Sequence, residues 1–205
     1  VLAPRLEDLM REIAAGRPVV VLQNLSLPVW PRWHYAVAIG FDRERETLLL
    51  RSGTTRELSM SLSNFEHTWA RSGHWALLAL PPDALPATAR EADYVSAAAA
   101  LERVSSAAAF RAYRAALSRW PGNLIAQLGM GNAAYAQRDL AAAEAAYRDA
   151  VGTHPDAADA WNNLAQVLHE RGRDREARVA GERAVALGGP RLAQYLETLR
   201  AIPAR

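Results

Sequence analysis

Residues 124–157 and 158–191 are two consecutive segments of 34 residues that can be laid one on the other. Gly131 then meets Ala165, Ala143 meets Ala177, and Ala150 meets Ala184. One period earlier, Ala109, Ala116 and Pro121 fall opposite Ala143, Ala150 and Pro155, so a third, more degenerate copy occupies roughly residues 90–123. A fixed period of this length, alanine-rich and without strand-like runs, predicts a stack of helical hairpins. Small residues at recurring positions let paired helices cross closely, and a proline closes a copy because it cannot continue a helix. The terminal stretch "GGPRLAQYLETLR" supplies a last helix that can cap the open end of the stack.

Period, helix–turn–helix reading, small crossing residues and closing proline together resemble the tetratricopeptide repeat family over about residues 90–200. The resemblance implies an all-α solenoid whose concave groove, lined by the first helix of each pair, binds a peptide or protein partner. Leu128, Asn132, Tyr135, Asn162, Asn163, Gln166 and His169 are the groove candidates. Asn132 at the ninth place of one copy and Asn163 at the sixth of the next resemble the versions that clamp a peptide C-terminal carboxylate. The lysine of such a clamp is replaced by Leu128.

Residues 1–82 follow a different grammar. "LEDLMREIAAG" puts Leu6, Leu9, Met10 and Ile13 on one helical face, and Gly16 suits its stop. "RPVVVLQN" reads as a buried strand. A loop with two prolines and two tryptophans follows. "HYAVAIGFD" and "TLLLRSG" form a hairpin across "DRERE", and "RELSM" adds a short strand. Ser63 with Glu66 three residues on has capping-box spacing for a short helix, and "HWALLAL" is a final strand. The proline-rich "PPDALPATA" marks the boundary. The expected organisation is an α+β domain over 1–82 with an antiparallel sheet, a linker over 83–89 and an all-α repeat domain over 90–205.

The order of features, with His34 opening "HYAVAIGFD" and Leu62, Ser63, Asn64, Phe65 and Trp69 later, resembles the C-terminal half of the double-glycine, bacteriocin-processing-like cysteine peptidases, over about residues 6–82. These have a papain-like fold. The resemblance implies that His34 is a general base, drawing the proton from a thiol so that a thiolate can attack a peptide carbonyl. The place of the orienting third residue reads Leu50-Arg51-Ser52-Gly53, which leaves Ser52 as a weak acceptor where the family has Asp or Asn. Asp42 lies eight residues along the strand from His34, too far to be the partner. Gln23 ends the preceding strand and can lie near His34. Trp30 and Trp33 flank Pro31 and either wall a substrate cleft or fill core.

The chain contains no cysteine. On this reading the thiol lies before Val1, the chain is a fragment inactive on its own, and loss of the nucleophile segment uncovers an apolar face near His34. The alternative is a non-catalytic adaptor, in which a degenerate peptidase-like domain and the repeats bind partner proteins. His67 and His74 have no partner at metal-ligand spacing and read as structural or exposed, His154 precedes Pro155 in a repeat turn, and neither metal nor cofactor is expected. All 24 basic residues are arginine against 22 acids, and the net charge of +2 provides no nucleic-acid stripe. The sequence holds no transmembrane run. Arginine and alanine usage suggests a bacterial source, and pairings of this kind an exported protein, periplasmic or membrane-anchored.

Overall fold

The computed structural model describes residues 2–203. The chain divides into two compact units, one running to Pro81 and including Pro86–Ala89, the other holding Pro82–Leu85 and everything from Arg90 onward.

In the first unit, helix α1 (Leu6–Ala14) precedes β1 (Val19–Asn24), β2 (Trp33–Asp42), β3 (Thr47–Ser52), β4 (Thr55–Ser61), helix α2 (Leu62–Ala70) and β5 (Ala76–Leu77). The strands form one antiparallel sheet in the order β4-β3-β2-β1-β5. Val19, Val21, Ala36, Ala38, Leu48 and Leu50 face a core completed by Leu9 and Ile13 of α1 and Phe65 and Trp69 of α2. Of the face expected on α1, Leu9 and Ile13 are buried and Leu6 packs against the core, Met10 is half-buried, and Gly16 follows the helix at φ +74°, where a side chain would be strained. Strand β2 carries an irregularity between Ala38 and Gly40, and a Cβ on Gly40 would stand 3.2 Å from Leu49.

Two local expectations need correction. The cap of α2 is Ser61, whose hydroxyl accepts from Asn64 N at 3.3 Å. Ser63 lies inside the helix, and Glu66 turns to His74 at 2.7 Å instead of closing a capping box. Ser61 wins because it ends β4 in extended conformation, the backbone an N-cap needs. "HWALLAL" pairs only at Ala76 and Leu77.

The carboxylate of Glu12 is fully buried, and sequence reading gave no hint of it. It accepts from Thr88 N and Oγ1, both at 2.6 Å, from Ala87 N at 3.1 Å and from Arg17 at 3.2 Å, tying residues 86–89 to α1. Burial opposes its charge, but the Thr88, Ala87 and Arg17 bonds outweigh it and hold the carboxyl below the ordinary range.

The second unit is helical: α3 (Glu91–Leu101), α4 (Ser106–Arg119), α5 (Leu124–Ala136), α6 (Leu140–Thr153), α7 (Ala158–Glu170), α8 (Asp174–Leu187) and α9 (Leu192–Ala201). The 34-residue period survives at atomic detail. Gln127 donates to Pro121 O at 2.9 Å, and one period on Trp161 Nε1 donates to Pro155 O at 3.0 Å. Ser105, Asn123 and Asp139 cap α4, α5 and α6 through their side chains. One period after Asp139 and Asn123 come Arg173 and Ala157, which give α8 and α7 no such cap.

Candidate functional site

The helical unit presents a surface built from α3, α5 and α7. Along α5, Ile125, Leu128, Asn132 and Tyr135 follow at intervals of three and four residues, which places them on one stripe. At its N-terminal end this stripe borders an open cleft of about 460 Å³ against α3, lined by Glu91, Ala92, Val95, Ser96, Ala99 and Ile125. Asn123 bridges the rim by donating to Glu91 at 2.7 Å.

At the other end the stripe becomes a polar ladder. Tyr147 OH donates to Asn132 Oδ1 at 2.7 Å, and Asn163 Nδ2 donates to the same oxygen at 3.3 Å. Tyr135 donates to Glu170 and accepts from Gln166 Nε2 at 2.9 Å. Arg138 lies 3.5 Å from Glu170. The bond to Glu170, followed by burial, raises the Tyr135 pKa and keeps it a donor at neutral pH. Asn132 and Gln166 are exposed. These contacts occupy Asn132 Oδ1 and Gln166 Nε2 and leave Asn132 Nδ2 and Gln166 Oε1 for a ligand.

Asn132, Tyr135, Asn163 and Gln166 are thus brought together. Asn162 is buried inside the stack behind them, one period after half-buried Leu128; its Nδ2 donates to Asn163 Oδ1 at 3.5 Å, and its Oδ1 has no protein partner. Its place in the helix turns it toward the neighbouring helices, which the alternation of asparagines in "WNNL" does not reveal. His169 is half-buried and shares a hydrogen bond with Asp174 at 2.6 Å, across the α7–α8 turn.

Outside this surface, Glu144 sits buried between the second and third copies. Its Oε1 meets Arg148 at 2.7 Å and Arg173 at 2.6 Å, and its Oε2 meets Arg171. Arg148 and Arg173 also reach Glu176 at 2.9 and 2.7 Å. Burial works against the charge of Glu144, but the arginine hydrogen bonds and charges prevail and hold its carboxyl below the usual range. The sequence signal was an acid in α6 with the arginines of "RGRDRE" (171–176) at the start of the hairpin turn in the next copy.

The tetratricopeptide-repeat family model matches residues 95–151 and 128–191. The helical unit is an array of tetratricopeptide repeats. Solved structures agree with that fold. The first tetratricopeptide domain of Spaghetti (RPAP3), bound to an HSP90 peptide, is 18% identical with a TM-score of 0.51, the match covering 55% of this chain and 89% of that one. The Yersinia enterocolitica type III secretion chaperone SycD, in complex with a peptide of the translocator YopD, is 18% identical with a TM-score of 0.51, covering 54% and 90%. The Sgt2 domain of Aspergillus fumigatus is 22% identical with a TM-score of 0.50, covering 60% and 83%. Comparison with curated proteins gives no match. Both ranges matched by the family model lie in the repeat array and leave the sheet unit outside them.

In the sheet unit, His34 opens β2 and is half-buried, with Nε2 2.6 Å from Ser52 Oγ at the end of β3. Gln23 is His34's cross-strand neighbour, but its side chain is buried and donates to Thr68 Oγ1 at 2.7 Å, so α2 holds it. Asp42 accepts from Glu44 N and Arg45 N in the hairpin turn, away from His34. His34 shares its side of the sheet with Gln23 and Ala36, while Trp33 and Tyr35 point to the opposite side. The His34 side is therefore largely covered by α1 and α2. The large uncovered apolar side chains are Trp33, Tyr35 and Leu77 and those of the β1–β2 loop, including Trp30. Trp30 and Trp33 are accordingly surface groups and not core. Among the described residues no metal-ligand cluster occurs and no helix is long and apolar enough to cross a membrane.

Proposed function

We propose that this chain recruits a partner by binding an extended peptide across α3, α5 and α7 of its repeats. The observation that carries the reading is the continuous α5 stripe, with an apolar cleft at one end and the Asn132–Tyr135–Asn163–Gln166 ladder at the other. The cleft takes an apolar side chain, and the free amide groups of Asn132 and Gln166 pair with peptide backbone. The peptides seated on the Spaghetti domain and on SycD support the same use of this fold. Leu128 in place of a clamp lysine removes the cation that would hold a terminal carboxylate, so the occupant is an internal segment with an apolar anchor.

Selection of a peptide library on the full chain tests this. Ile125→Asp, and the pair Asn132→Ala with Gln166→Ala, are each expected to weaken the selected peptides roughly tenfold, or about 1.4 kcal/mol. Amidation of the peptide C-terminus is expected to change little. Selected peptides indifferent to all three substitutions would refute the reading.

The His34–Ser52 contact favours a second reading for the sheet unit, that of a papain-like base with serine as its weak orienting group. It requires a thiol that these 205 residues do not contain. In a parent protein carrying such a cysteine, labelling by a thiol-directed probe would be abolished by His34→Ala and slowed by Ser52→Ala. Unchanged labelling in His34→Ala would sink it, leaving the unit as a binding platform.

A further inference from the structure

We propose that the loop between β1 and β2 inserts into a lipid surface carrying anionic headgroups. Residues 25–32, "LSLPVWPR", close on themselves in hydrogen bonds. The buried Asn24 accepts through Oδ1 from Ser26 N at 3.0 Å and Arg32 N at 2.9 Å. Leu25 N donates to Arg32 O at 3.0 Å and Trp30 N to Leu27 O at 3.1 Å. Arg71 holds the base from outside, donating to Ser26 O at 2.7 Å and Asn24 O at 3.4 Å. Pro28 and Pro31 have no N–H to satisfy. The loop therefore takes few unpaired backbone donors with it into an apolar medium, which is the main cost of inserting irregular backbone.

This well-braced loop turns its apolar side chains outward. Leu27 is 61% exposed, Val29 77%, Trp30 78% and Trp33 54%. Bracing a loop and then leaving its tip to water has no structural purpose, and a rigid tip binds without an ordering cost. The loop itself carries Arg32 and no carboxylate, and Arg71 stands at its base.

The tip chemistry decides the occupant. Leu27-Pro28-Val29-Trp30-Pro31 offers one side-chain hydrogen-bonding group, the Trp30 indole N–H. A protein partner is recognised through several directional bonds around an apolar centre. A bilayer interface asks for what is here: aliphatic groups to enter, an indole for the headgroup boundary, and arginines to meet phosphates.

Flotation of the full chain with phosphatidylcholine vesicles, with and without phosphatidylglycerol, tests this. The chain is expected to float with the phosphatidylglycerol vesicles, less so as salt rises. Val29→Asp combined with Trp30→Asp is expected to lower partition about tenfold or more. Arg32→Gln is expected to lower it about fivefold on the anionic vesicles alone. All three sites are exposed, so thermal melts should match the unsubstituted chain. A chain that stays with neither vesicle, or tip variants that float like the original, would overturn the proposal. So would a soluble protein captured through the tip with no vesicle binding.

Discussion

Gly129→Ala is expected to destabilise the repeat array by about 2 kcal/mol, read as a lower urea midpoint at unchanged slope. A methyl group there would stand 2.2 Å from the Tyr113 ring. Tyr113 is buried and bonded to Glu102 at 2.5 Å, so the ring cannot swing aside without losing that bond. Alanine's helix propensity would return up to about 1 kcal/mol, but overpacking of a filled core costs about 1–3 kcal/mol or more, and a contact this short lies at the upper end. Gly152→Ala in α6 is the control. Nothing stands within 4 Å of its Cβ position, so it is expected to gain about 0.5–1 kcal/mol. If both substitutions stabilised, close helix crossing would not be what selects glycine at residue 129.

Replacing Glu144 by leucine is expected to cost about 2 kcal/mol and to loosen the junction between the second and third copies. Three arginines converge on this buried carboxylate, and removing the anion takes the counter-charge from Arg171 and leaves Arg148 and Arg173 sharing Glu176. Breaking a buried pair costs about 3–5 kcal/mol, and the partial exposure of these arginines reduces that figure. The pH dependence has a definite sign. The folded carboxyl titrates below its ordinary value of 4.5, so the unfolded chain binds more protons in this range. The stabilisation is complete above that value and is lost as pH falls through the folded one. Glu12 contributes in the same direction in the sheet unit. Acid titration of Glu144→Gln, followed by helix signal, should give a shallower loss below pH 4.5 than the unsubstituted chain; an identical curve would mean the network carries no stability.

The repeats were legible in the sequence because close helix crossing admits few residues. Gly131 faces Tyr147 so closely that an added Cβ would stand 2.4 Å from the ring, whereas one period on Ala165 faces Gly181. The two copies divide the same space in opposite ways, and both leave small residues at the period. His34 and Ser52 were likewise within reach of a sequence reading, since strand ends in a hairpin meet by register. Side-chain direction was not. Asn162 and Asn163 are neighbours in sequence, yet the first is buried and the second reaches the ladder. The Glu12 clamp joins residues 75 or more positions apart, and no local pattern announces it. The β1–β2 loop showed its tryptophans, but its bracing by Asn24 and Arg71 depends on tertiary contacts.

The central claim is that the partner peptide lies along α5 and its neighbouring helices. Amide hydrogen exchange of the full chain, with and without a selected peptide, tests it most directly. Slowed exchange is expected in α3, α5 and α7, strongest around residues 125–135 and 162–170. Protection confined to residues 19–77, with exchange in the repeats unchanged, would contradict it.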